Sequence, residues 1–402
     1  MSRLSASVAQ VLLLVPSSAG ALCPTVQVQE KVQDVGELLH CTPALIDLSR
    51  IAISPAYPRG ATSVRLFAEW EKKEAWFSYL ENCLFIPSDM RDDRLYRVPT
   101  GLGPLISALE THSPETRHMT LFCGGSRFPV GQTEIDLFLR DRFPLQTRIT
   151  KGDVGGLTAL VVTQPVQADE LKEICTKVRC PQPRIPLNLR IAGGDLVSDG
   201  RGSCLTTDRS LADADPGTGR KVPLPHAYRS FFGCDRLFVL RALPDITGHV
   251  DVVAKILPPG RSGSSTVLLG RLESGESRND EDAAANADLL RFHGYQVDFL
   301  AVGGRHVNRG LRAGPAFLVT AYPNAYVDGR TVYVPQFEAD QFSPLVHATD
   351  SPLDLAELNR RAVGVYKKYF ERVVTVASPW IVRGGGPHCV TAEFFSPVPA
   401  RP

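Results

Sequence analysis

Three groups of residues carry side chains that could do chemistry. Near the C-terminus, Gly384-Gly385-Gly386-Pro387-His388-Cys389-Val390-Thr391 delivers a cysteine from a tight glycine turn at the start of an apolar stretch, a placement suited to a nucleophile. Thr247-Gly248-His249-Val250-Asp251 sets an imidazole and a carboxylate two residues apart, hence on one face if the segment is a strand, as proton transfer at a shared site requires. Asp141 lies in Asp136-Leu137-Phe138-Leu139-Arg140-Asp141-Arg142-Phe143-Pro144, where strand alternation puts it beside Leu139. A carboxylate on an apolar face needs a partner or a ligand. Each group also has an ordinary explanation: a His-x-Asp is commonly a surface pair or a satisfied core histidine, and a glycine triplet is commonly a turn. Neither these glycines nor Gly217-Thr218-Gly219-Arg220-Lys221 completes a Gly-x-x-x-x-Gly-Lys-[Ser/Thr] loop, so a nucleotide cradle is rejected. The combination says more than any member.

The elements that must position these residues alternate short apolar runs with amphipathic stretches. Strands are expected at residues 119–123, 157–162, 236–240, 265–269 and 331–334. Helices are expected over residues 281–293, opened by Asn279 or Asp280, and 353–372, opened near Ser351. A unit of a few strands and a helix repeats, which makes the chain α/β. The Gly/Pro/Ser-rich stretches at 213–223 and 258–265 are short and read as surface loops.

Composition bounds the partners. With 44 Lys+Arg against 43 Asp+Glu, the net charge of +1 leaves no field to attract phosphate backbones or anionic lipid, so neither nucleic acid nor a membrane is an expected partner. At the N-terminus, Arg3, the apolar run 8–15 and Ala19-Gly20-Ala21 read as a secretory signal over residues 1–21, with a short buried helix as the alternative. Export to a secreted or periplasmic location follows from the first reading, and a cytoplasmic location from the second. Nine cysteines, an odd number, suit an oxidising compartment with at least one thiol left free. Cys175 and Cys180 have no accompanying Cys or His pair, so no metal site is expected.

From about Phe67 onward the sequence resembles the guanidine-modifying enzymes, in the branch of bacterial peptidylarginine deiminases and agmatine deiminases. Phe67-Ala68-Glu69-Trp70-Glu71, Phe138-Leu139-Arg140-Asp141, Gly193-Gly194-Asp195 through Asp199-Gly200-Arg201-Gly202, Gly248-His249-Val250-Asp251, and Ala321-Tyr322-Pro323-Asn324 with Val334-Pro335-Gln336-Phe337 are similar to its motifs in order. Gly385-Gly386-Pro387-His388-Cys389-Val390-Thr391 closes the series. The resemblance implies a pentein fold, a five-bladed α/β propeller of strand-strand-helix-strand modules around a central site. It implies a catalytic domain over residues 61–402, preceded by an extension over 22–60. The intervals agree with one motif per blade: 54 residues from Asp141 to Asp195, 54 to His249, 75 to Asn324 and 65 to Cys389.

The roles implied follow guanidinium chemistry. A guanidinium is planar, resonance-stabilised and always charged, so its carbon is a poor electrophile. Asp141 and Asp251 would grip its nitrogens, Cys389 would attack the carbon, and His249 would protonate departing ammonia and then activate water. Arg140, Asp195, Asp199 and Asn324 are expected at the substrate, with no cofactor and no metal. Departures from the family pattern are Ala192, where many agmatine-type relatives are acidic, and Phe143, expected at the pocket rim. Arg148 and Arg184 are the candidates for the arginines that read a substrate carboxylate in one secreted branch. The expected reaction is conversion of arginine, in peptides, to citrulline and ammonia. The alternatives are an agmatine deiminase, forming N-carbamoylputrescine for putrescine biosynthesis, then an amidinotransferase, then a non-catalytic guanidinium-binding protein.

Overall fold

The computed structural model describes residues 26–27, 42–53, 60–77, 102–116, 118–120, 139–164, 171–172, 175, 180, 184–214, 224–245, 247–260, 263, 265–273, 277–306, 317–338, 353–378 and 385–395. The expected signal segment, Phe138, Ser351 and Gly384 lie outside them, as do Cys23, Cys41, Cys83 and Cys123.

Apolar β-rich runs make the innermost strands. Arg236–Leu240 is buried at every position after Arg236, as a strand with neighbours on both edges must be. It pairs parallel with Ser203–Thr207 and antiparallel with Ala44–Asp47. The same connectivity recurs five times: a first strand pairs antiparallel with a second, and a third returns parallel to the second. The first module uses Leu145–Gly152, Thr158–Gln164 and Arg184–Arg190. Val197–Ser198, Ser203–Thr207 and Arg236–Leu240 form the second, and Ala254–Ile256, Thr266–Leu272 and Gln296–Val302 the third. Tyr326–Asp328, Thr331–Gln336 and Arg372–Ala377 make the fourth. In the fifth, Thr391–Phe394 near the C-terminus pairs with Glu74–Phe77, which continues through the helix Leu102–His112 to His118–Thr120. One module thus combines strands from the two ends of the chain and closes the ring of this five-bladed pentein α/β propeller.

Apolar cores lie between successive modules. Val161 and Ile185 of the first pack with Leu237 and Val239 of the second; Leu205 and Phe238 of the second pack with Val267 and Leu290 of the third. Leu300 joins Val334 and Leu358, and Tyr333 joins Ala75 and Leu105. Side chains shared across these four boundaries therefore fix the blade positions.

Two helices differ in extent from expectation. Ser277–Phe292 begins ahead of Asn279, because Asp280 sits within its first turn, where a carboxylate favours the helix dipole, and pairs with Arg271 at 3.0 Å. Leu355–Tyr366 is shorter than residues 353–372: Asp354 caps it through the Glu357 amide at 3.0 Å, and the chain must leave it to bring Arg372 alongside Thr331.

Candidate active site

Every module is entered through a single tight turn of chain, and each turn carries a polar residue of interest. Leu139–Arg142 precedes the first, Gly193–Asp195 the second, Val250–Val253 the third and Tyr322–Asn324 the fourth. Residues 387–390 form a turn before the fifth. This corrects two expectations. Asp141 is in one turn of helix instead of a strand, held there as the Arg140 amide donates to the Cys389 carbonyl at 3.2 Å. His249 caps the turn that contains Asp251, so the pair is brought together by helix-start geometry, not strand alternation. Gly248 makes this possible with φ 74°, a conformation that L side chains rarely adopt.

Asp141, His249, Asp251 and Cys389 converge. The Cys389 thiol, 2% exposed, donates to Asp251 Oδ2 at 3.5 Å and accepts from Asn324 Nδ2 at 3.0 Å. His249 Nδ1 stands 3.7 Å from Asp141 Oδ1, and its Nε2 3.7 Å from Asp195 Oδ1. The Gly194 amide donates to Asp141 Oδ1 at 3.2 Å. A Cβ on Gly194 would lie 2.6 Å from His249 Nδ1 and 3.1 Å from Asp251 Oδ1, so glycine is required where the second module meets the catalytic candidates. Asp251 is fully buried, yet its Oδ1 has no hydrogen-bond partner. An orphaned carboxylate oxygen in that position is an acceptor awaiting a donor.

The supporting shell is bound more tightly. Asn324 Oδ1 accepts from the Gly386 and Cys389 amides, both at 3.0 Å, which fixes the turn that presents the thiol. His388 bridges Asp251 Oδ2 at 2.8 Å and Glu69 Oε1 at 2.9 Å. Lys255 meets Glu69 at 2.6 Å, while Glu393 takes Lys73 at 3.0 Å and Arg140 at 2.7 Å. Glu69, Lys73, Lys255, His388 and Glu393 were not assigned from sequence. Glu69 and His388 sit inside quoted motifs, which was the available signal; Lys73, Lys255 and Glu393 gave none, because nothing local shows that their partners are distant in sequence.

The remaining expected substrate contacts are placed differently. Arg140 is committed to Glu393 and to the His388 carbonyl at 2.7 Å, behind the site. Asp199 accepts from the Arg201 and Ser203 amides and closes a turn. Asp195 divides its oxygens between the Ala192 amide and the Ser210 hydroxyl, and reaches the site only through His249. Phe143 is buried edge-on against Phe394 and lines a cavity with Glu69, Arg140 and His388, not with Cys389. Arg148 is ion-paired with Glu71, and Arg184 is exposed at the start of its strand. Among the described residues, no cluster fit to hold a metal occurs.

Electrostatics set the protonation states. Burial opposes the charge on His249, but Asp141, Asp195 and Asp251 outweigh it and push its pKa up to about 9. Burial, Asp251 and Asp141 together push the Cys389 thiol well above its ordinary value, despite the hydrogen bonds from Gly386 and Asn324. Asp251 is held below the carboxylate range because His388, His249 and Arg140 more than offset its burial.

A family model for the Porphyromonas-type peptidyl-arginine deiminase matches residues 162–394, more than half of the chain. The chain belongs to this family. It is therefore a deiminase-family hydrolase, of a kind that acts on guanidino groups. A search of curated proteins finds no significant match. Among solved structures, the deiminase resembles the agmatine deiminase of Enterococcus faecalis at 18% identity, covering 87% of this chain and 99% of that one with a TM-score of 0.57. The C. jejuni agmatine deiminase is similar at 14% identity, with 84% and 97% covered and a TM-score of 0.57. At these identities the likeness establishes the fold.

Proposed function

We propose that the protein hydrolyses the guanidinium of arginine, in peptides, to the ureido group of citrulline through a covalent thiouronium on Cys389. The observation that carries this reading is the unpartnered Oδ1 of buried Asp251 beside the thiol, facing Gly194 and His249. Asp251 and Asp141 would take up the guanidinium nitrogens and hold the carbon at the sulfur. The arriving cation would also offset the two carboxylates that keep the thiol protonated, so that the thiol gives up its proton to solvent as substrate enters and thiolate forms where and when substrate is bound. Sulfur then attacks the carbon and gives a neutral tetrahedral adduct. Protonated His249 supplies the proton with which ammonia leaves, and neutral His249 next takes a proton from the water that attacks the thiouronium. Collapse expels sulfur and frees the ureido product.

Peptidyl arginine is favoured over agmatine by Ala192, which offers no carboxylate to an amine, and by the family match. The export expected from residues 1–21 would favour the same choice, and the bonded pairs Cys175–Cys180 and Cys204–Cys234 fit an oxidising compartment. An ammonia-release screen over arginyl peptides, free arginine and agmatine tests the assignment. The expected result is a higher kcat/KM for arginyl peptide; a preference for agmatine of about tenfold or more overturns the substrate choice.

A further inference from the structure

At the end of the second module away from the catalytic turns lies an open pocket of about 580 Å³, within the range of small-molecule sites. The strand Ser203–Thr207 runs between the two places. Gly202 lines the pocket, whereas the Thr207 hydroxyl donates to the Gly248 carbonyl, next to His249, at 2.6 Å. A strand of that length separates its ends by roughly 13 Å. Asp141, His249, Asp251 and Cys389 are all absent from the lining.

The charge of this pocket is lopsided. Arg65, Lys151, Arg201, Arg229 and Arg236 line it against Asp47 and Asp235, in a chain whose total charge is only +1. The cations come from three strands, a turn and a helix, so they are not the solvated face of one element. At the base, Arg65 Nη2 and Arg229 Nη1 share the two oxygens of Asp235 at 2.6 and 2.7 Å, two arginines on one carboxylate. Arg65 is held in place by the Val64 and Gly233 carbonyls at 2.8 and 3.2 Å. Arg229 makes an ion pair alone: its side chain is 13% accessible, and its Nε and Nη1 are buried without a hydrogen-bond partner. Buried donors left in that state need an acceptor. Burial lowers the Arg229 pKa against the pull of Asp235, and Arg65 lowers it further, as expected of a base short of negative charge. Around it, Lys151, Arg201 and Arg236 have no ion-pair partner among the described residues. Arg236 donates to the Ser203 hydroxyl at 2.7 Å, and Asp47 accepts from the Ser49 amide at 2.9 Å.

We propose that this pocket binds a compound carrying two or more phosphate or sulfate groups, at a site separate from the catalytic one. Guanidinium forks match such oxyanions, and five cations against two carboxylates leave a surplus that a single charge does not balance. The described lining has no aromatic side chain and one large apolar one, Leu45. It therefore offers neither a wall on which a nucleobase could stack nor a bed for an acyl chain. Ser49, Thr62 and Ser63 instead supply hydroxyls to a polar carrier. The site stands whether or not the deimination reading does, because it shares no residue with it.

The test is calorimetric titration of the full chain with inorganic pyrophosphate, fructose bisphosphate and sucrose octasulfate, at about 0.15 M salt to screen the general surface field. At least one of the three should bind with one equivalent per chain, and the tightest identifies the carrier as none, a phosphorylated sugar or a sulfated sugar. Arg201→Gln, Arg229→Gln and Arg236→Gln should each weaken that binding by about tenfold. Lys367→Gln, an exposed lysine that ends the helix Leu355–Tyr366, and Asp251→Asn should each change it by less than about twofold. No binding of any probe, several equivalents bound, or equal losses in Lys367→Gln and the pocket variants overturns the site. Binding that Asp251→Asn abolishes overturns its separation from the catalytic residues. If Arg229→Gln fails to fold because Asp235 loses a partner, Arg201→Gln and Arg236→Gln, both at exposed positions, decide.

Discussion

The two sides of His388 are built from similar residue types and behave differently. In front, Asp141, Asp195 and Asp251 surround His249 and Cys389 at 3.5–3.7 Å, and one carboxylate oxygen has no partner. Behind, Glu69 and Glu393 are matched by Lys73, Lys255 and Arg140 at 2.6–3.0 Å. The rear sets three cations against two carboxylates, whereas the front holds more carboxylates than cations and would be completed by a cationic ligand. A buried network of this kind fixes geometry; the loosely paired group reacts.

The largest expected effect comes from breaking the rear. Glu393→Ala strands Lys73 and Arg140 as unpaired buried cations and should cost about 3–5 kcal/mol, read as a lower urea midpoint with an unchanged slope. A loss under about 1 kcal/mol would show that the network is solvated. At the junction, Gly194→Ala drives a methyl group toward His249 and Asp251. It should lower kcat by roughly 10–100-fold, with a stability change of at most about 2 kcal/mol, because the side chains at risk are those of the front.

Titration separates the two sides more finely. His249 has a folded pKa raised from 6.5 to about 9, so its contribution to stability is complete below 6.5 and is lost as pH rises through about 9. As the general acid it should impose a descending limb on kcat/KM near the same pH; kcat/KM still rising well above pH 9 would remove it from that role. The smallest effect belongs to the exposed pair Arg330 and Glu371, with side chains 80% and 67% accessible. Glu371→Ala should change stability by less than about 0.5 kcal/mol in thermal melts.

What could be read from the sequence divides along the same line. The front lies on local motifs, His249-Val250-Asp251 and His388-Cys389, and intervals of 54 to 75 residues matched one turn per blade. The strand at residues 236–240 was legible because every position but the first is apolar and buried. Asp141 read as a strand residue because alternation over Phe138 to Asp141 also fits one helical turn, and only its contact with the Cys389 carbonyl distinguishes them. The rear was hidden, since Lys73 and Glu393 are 320 residues apart and Lys255 and Glu69 186 apart. Pairing at that separation depends on the strand from the C-terminal end reaching Glu74–Phe77.

The central claim is that Cys389 is inert until a planar cation sits between Asp141 and Asp251. It is tested most directly by comparing alkylation by chloroacetamidine with that by neutral iodoacetamide at pH 7, followed by intact mass and peptide mapping. The account predicts a single stoichiometric adduct on Cys389, formed about 10²-fold faster by the amidine, absent from Cys389→Ser and prevented by arginyl peptide. Equal rates for the two reagents, or modification at another residue, would contradict it.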